Sequence, residues 1–157
     1  MESLRRRLTA LAVLGAVAPA APSVASASVT AASPRSASLE HFACTRATEA
    51  LNRAVAVTAV MRPVAGTRRM ELKFVLLRRR AGTSAFTPVS GKGLGRWVHP
   101  DDPNLGQRPG DVWEYAKPVV NLVAPAVYRF RVTFRWDEAA TRSDAVLLSS
   151  TCDQKGS

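Results

Sequence analysis

Few residues in this chain can do chemistry, and their spacing restricts what that chemistry could be. Two histidines occur. His99 lies in the run Trp97-Val98-His99-Pro100-Asp101-Asp102. One imidazole and two carboxylates there could offer ligands to a hard cation. No further carboxylate cluster accompanies them, and a solvated loop is the competing reading. His41 stands three residues before Cys44, but no second Cys/His pair supplies the remaining ligands of a zinc site. Gly91-Lys92-Gly93-Leu94-Gly95 lacks the spacing of a dinucleotide-binding turn and reads as a flexible loop. No Gly-x-Ser-x-Gly elbow, His-Glu-x-x-His motif or P-loop occurs. These residues predict no catalytic set, no metal and no cofactor, so a non-catalytic function is expected.

Cationic side chains form a stronger pattern. Lys and Arg number 22 against 12 Asp and Glu, a formal net charge of +10. Eighteen of the 22 are Arg. In Tyr128 to Trp136 (YRFRVTFRW), Tyr128, Phe130, Val132, Phe134 and Trp136 alternate with Arg129, Arg131, Thr133 and Arg135. A period of two places the apolar set on one face of a strand and the guanidinium set on the other. Arg69 to Arg80 (RMELKFVLLRRR) alternates in the same way, with Met70, Leu72, Phe74 and Leu76 on one side. A helix is the alternative for that segment, but Phe74-Val75 and the Pro63 to Gly66 turn favour strand.

The elements that must position these groups read as short strands between turn signals. Leu39 to Arg46, Ala54 to Arg62, Arg69 to Arg80, Ala85 to Val89, Val112 to Leu122, Tyr128 to Trp136 and Asp144 to Cys152 are the expected strands. Residues 90–111 form a long Gly/Pro-rich loop, of the kind that is functional or mobile in a compact domain. No segment reads as a helix of three turns.

The first 27 residues read as a secretory signal. Arg5 to Arg7 form a positive start, Leu8 to Ala18 an apolar run, and Ala25-Ser26-Ala27 a cleavage site. Cleavage after Ala20 is an alternative. The apolar run is short of the roughly 20 residues needed to span a bilayer. The mature chain is therefore expected to be secreted and soluble, with no membrane span and a charge of about +8. Residues 28–38 read as a disordered leader, 39–153 as one domain and 154–157 as a tail. Cys44 and Cys152 are the only cysteines. In an oxidising compartment they are expected to pair. Such a bridge closes a loop of more than 100 residues, with stabilisation on the order of 4–5 kcal/mol in the chain-entropy model.

Leu122 to Trp136 (LVAPAVYRFRVTFRW) resembles the start of strand F in immunoglobulin-like and fibronectin type III sandwiches. Leu122, Pro125 and Tyr128 occur there in the order of the tyrosine corner. The stretch from Cys44 to Cys152 also resembles uncharacterised secreted bacterial proteins that carry a terminal Cys pair. The resemblance implies an all-β fold, a single antiparallel immunoglobulin-like β-sandwich of about seven strands. It places the third strand beside the Tyr128 strand in one sheet. The bridge usual between strands B and F is absent, which excludes an antibody-type domain. The resemblance implies nothing about a ligand.

On that fold Arg69, Lys73, Arg129, Arg131 and Arg135 share an outward face, extended by Arg78 to Arg80, with Glu71 pairing one of them. That face is the first candidate site, for an anionic cell-surface polymer such as a phosphate-bearing or acidic glycan. Arg suits planar, bidentate recognition of such groups. Nucleic acid satisfies the same physics, but the export signal argues against it. Two other sources of basicity stand beside this reading. A GC-rich bacterial genome enriches Arg, and outward charge blunts sheet-to-sheet association. The second candidate is the aromatic set Trp97, Trp113 and Tyr115, which could stack on a sugar or contact another extracellular protein from the 90–117 loop. Such residues also commonly close the end of a core. A secreted enzyme is the third reading.

Overall fold

The computed structural model describes residues 36–156. The expected signal, and residues 28–35 of the expected leader, lie outside the described residues. The described chain is nine strands in two antiparallel sheets. Two more strands are present than expected, because one two-residue strand forms inside the long loop and the last strand breaks in two.

The first sheet has the order β1-β2-β6. It is built from β1 (Ala37–Thr45), β2 (Ala54–Met61) and β6 (Trp113–Val120). The second has the order β4-β3-β7-β8. Its members are β3 (Thr67–Arg80), β4 (Thr87–Pro88), β7 (Ala126–Glu138) and β8 (Arg142–Leu148). Two short strands finish its edges. β5 (Trp97–Val98) pairs β3, and β9 (Cys152–Gln154) pairs β7.

Alternation decides which side of each strand is inside. Val55, Val57, Ala59 and Met61 of β2 face Met70, Leu72, Phe74 and Leu76 of β3 and Tyr128, Phe130, Val132, Phe134 and Trp136 of β7 in one buried cluster. Burying each large apolar side chain is worth about 1.5–3 kcal/mol. Aromatic packing adds orientation. Phe74 meets Phe130 edge-on at 6.4 Å, and Phe134 stacks on Trp136 at 6.3 Å.

Two hydrogen bonds and one covalent bridge lock the layers. The Trp136 indole donates across the core to the Arg62 carbonyl at 2.8 Å. The Gln154 amide donates to the Thr45 carbonyl at 2.9 Å. Cys44 of β1 and Cys152 of β9 form the expected disulfide, 108 residues apart in sequence. The bridge joins the two sheets.

Several boundaries differ from expectation. β1 begins at Ala37, because Ala37 pairs with Met61 and is buried. The end of the expected leader is therefore strand. Gln154 is buried in β9, so the domain runs past Asp153 into the expected tail. The segment after Phe86 contributes only Thr87–Pro88 to the sheet. Residues 149–151 interrupt the final strand, where the Ser149 hydroxyl accepts the Phe130 N–H at 2.9 Å. That side chain takes a ladder position for the backbone.

The long loop is anchored by its own side chains. The Asp111 carboxylate accepts the backbone N–H of Gly106 at 2.7 Å and of Arg108 at 3.1 Å. These two bonds, Gly106 first, hold its pKa below the usual aspartate value. Gly106 has φ +102° and lies against Met70, where an added Cβ would approach the side chain to 2.9 Å. Only glycine satisfies both conditions. Earlier in the loop, Gly95 donates to the Phe74 carbonyl at 2.7 Å and Val89 to the Leu76 carbonyl at 2.8 Å. The Gly-rich segment thus covers the edge of β3.

Candidate anion-binding face

The outward side of the β3-β7-β8 sheet is set by register. Arg69 stands opposite Asp137, Glu71 opposite Arg135, Lys73 opposite Thr133, Val75 opposite Arg131 and Leu77 opposite Arg129. On the other flank of β7, Arg131 stands opposite Leu148, Thr133 opposite Val146 and Arg135 opposite Asp144. All five cations expected on this face lie on it. Arg78 and Arg80 do not. They pair with the buried Tyr128 and Ala126 and so continue the core-facing row of β3, Arg80 ending exposed at the strand terminus. The alternation that turns Arg79 outward turns Arg78 inward.

The face has two electrostatic halves. At one end Arg135 donates from Nε and Nη2 to both oxygens of Asp144, at 2.9 and 3.0 Å. Its Nη1 lies 3.7 Å from Glu71, which is nearly buried. His99 Nδ1 approaches the same Glu71 at 3.3 Å. The Arg135 hydrogen bonds hold the Asp144 carboxyl below the ordinary aspartate value, and Asp144 raises the Arg135 pKa in return. Arg142 pairs with Asp137 at 2.7 Å. At this end Arg135 and Arg142 are paired within the protein, while Arg69 is exposed with no carboxylate at ion-pair distance among the described residues.

The other end has no such pairs. Among the described residues no carboxylate comes within ion-pair distance of Lys73, Arg79, Arg129 or Arg131. Arg131 is exposed between Val75 and Leu148, and Leu148 and Val146 are half-exposed beside it. The face therefore combines unpaired cations with a modest apolar strip.

Two aromatic rings support the cations from the sheet edge. Trp97, on β5 opposite Lys73, has the Lys73 ammonium 4.5 Å and the Arg135 guanidinium 3.8 Å from its ring centre. Phe86 has Arg129 at 4.1 Å and Arg79 at 5.4 Å. Cation–π contacts of this kind contribute about 0.5–1 kcal/mol at exposed sites. A guanidinium lying over a ring keeps in-plane N–H donors for an acceptor, while the ring restricts its motion.

The three aromatics read as one loop set thus separate. Trp97 joins the cationic face. Trp113 is buried and meets Tyr115 edge-on at 6.1 Å, while Tyr115 packs 5.6 Å from Phe74. Trp113 and Tyr115 close the end of the core, as residues of that type commonly do. Of the loop acids, Asp102 accepts the Asn104 N–H at 2.8 Å and shapes a turn. Phe86 and Asp144 complete the face and were not singled out by sequence. Phe86 lies two residues before Pro88 in a weak strand signal, and Asp144 becomes relevant only once the β7-β8 register is known.

Comparison with family models, with curated proteins and with solved structures finds no match. Among the described residues no helix is long and apolar enough to cross a membrane.

Proposed function

We propose that this chain is a non-catalytic, secreted binding module of immunoglobulin-like fold that holds an anionic cell-envelope polymer on the outer face of its β3-β7-β8 sheet. The observation that carries this reading is the unpaired half of that face. Lys73, Arg79, Arg129 and Arg131 lie together without internal counter-ions, and rings hold three of them.

Three features support the fold and compartment within the proposal. The sheet orders β1-β2-β6 and β4-β3-β7-β8 correspond to the two sheets of a fibronectin type III sandwich. The Tyr128 hydroxyl donates to the Val123 carbonyl at 2.8 Å, the tie of a tyrosine corner. A disulfide suits an oxidising compartment.

A flat cationic face suits a repeating anion better than a small one. Each cation can meet a separate phosphate, sulfate or carboxylate along a chain, and the apolar strip beside Arg131 can accept the backbone between charges.

Binding to dextran sulfate, with neutral dextran as control, tests this. The affinity should fall steeply as salt rises. Arg129→Glu with Arg131→Glu should weaken binding at least about tenfold at physiological salt, since each charge-assisted bond is worth more than about 1.4 kcal/mol. Circular dichroism would verify the fold. Binding that ignores salt, or that survives the double variant, would rule the reading out.

A further inference from the structure

The parity of β3 sends one guanidinium toward the interior. Met70, Leu72, Phe74 and Leu76 fill the core, and Arg78 takes the next position on the same side. There the two sheets part, and a cleft of about 420 Å³ opens between them. Val89, Leu94, Val119 and Leu122 give it apolar walls, and Arg78 and Lys92 are its charged residues. Asp and Glu are absent from the residues that line it. The Arg78 Nε is buried, with no hydrogen-bond partner among the described residues. No hydrogen bond or ion pair ties the Arg78 side chain to another group among the described residues, so the guanidinium at the cleft is left without an internal acceptor.

The walls are held without any ligand. Val89 is tied to Leu76, Leu94 to Gly91, and Leu122 to Arg53 by backbone hydrogen bonds of 2.8, 3.1 and 3.4 Å. Lys117 donates to the Lys92 carbonyl at 3.2 Å, which brings another ammonium to the rim. The cleft therefore pre-exists and has positive character.

We propose that this cleft binds a small amphipathic carboxylate, its headgroup on Arg78 and its hydrocarbon part between the two sheets. One guanidinium presents paired N–H donors that match the two oxygens of a carboxylate. Val89, Leu94, Val119, Val120, Leu122 and Val123 give a hydrocarbon chain most of its contact, and a cleft of this size falls within the usual range of about 300–1,000 Å³ for small-molecule sites. The proposal is independent of the outer face, because Arg78 and Arg129 point to opposite sides of the sheet.

Hexanoate is a suitable probe, with hexanol as the uncharged control, observed by NMR on the ¹⁵N-labelled oxidised protein. Hexanoate should shift the Arg78 Nε–Hε resonance and the amides of Ser90, Leu94 and Asn121 saturably, and hexanol should shift them less. Arg78→Met, which keeps the stem and removes the charge, should weaken the response at least about tenfold. Ser90→Glu, an exposed change at the rim that places a competing carboxylate there, should weaken it as well and needs no core residue. Arg129→Glu with Arg131→Glu should leave it intact. The proposal is overturned if hexanoate moves none of these resonances, or if both cleft variants respond like the parent protein.

Discussion

At the scale of single residues, one ion pair decides how much of the outer face is available. Arg135 points outward as its alternation predicts, yet Asp144 holds it from the neighbouring strand and Glu71 from the other. Removing the Asp144 charge should therefore enlarge the cationic surface. Asp144→Asn is expected to tighten dextran sulfate binding by about 1 kcal/mol, or about fivefold, the scale of one charge at contact distance in water. Titration calorimetry would measure it, and weaker binding would show that Arg135 acts only through that pair. The pH dependence has the same origin. The Asp144 carboxyl titrates below the ordinary value of 3.8. Its contribution to stability is present above that value and lost as pH falls through the lower folded one. Which arginines face outward was legible from the alternation of Tyr128 to Trp136. Which of them are neutralised was not, because that depends on a register between β7 and β8 that no local pattern encodes. Arg78 shows the same limit. It lies in a run of three arginines read as one outward block, whereas strand parity divides the run.

At the scale of elements, β7 organises the domain. It pairs β3, β8 and β9 and supplies six core residues. Its entry is held by the Tyr128 hydroxyl on the Val123 carbonyl. Tyr128→Phe should cost about 1 kcal/mol, the net worth of one hydrogen bond, and urea denaturation would measure the loss. An unchanged midpoint would remove the tyrosine tie from the account of the corner. The order Leu122, Pro125, Tyr128 makes this tie legible in the sequence. The loop before β6 carried less. Glycines and prolines marked it as irregular, but its order comes from Asp111 reaching back to Gly106 and from Gly106 packing under Met70. Such long-range side-chain fits have no periodic signature. Trp97 illustrates the consequence. A two-residue strand brings it beside Lys73, and so a residue assigned to a separate loop surface belongs to the cationic face.

At the scale of the whole molecule, the two sheets share one core and one covalent link near the chain ends. Replacing both Cys44 and Cys152 by Ser should cost about 4–5 kcal/mol, because the bridge spans 108 residues. Equilibrium unfolding of the variant would report it, and a loss below about 1 kcal/mol would show that the loop-closure account fails here. With that link and the core in place, the β3-β7-β8 sheet presents a rigid outer surface, and the cations on it keep their spacing. The most direct test of that surface is to locate a bound polyanion on the protein. Hydrogen exchange of the domain with and without a short dextran sulfate should show new protection at Lys73 to Arg79 and Arg129 to Thr133, lost in high salt. Protection confined to the opposite end, around Arg68 and Arg108, would contradict the account.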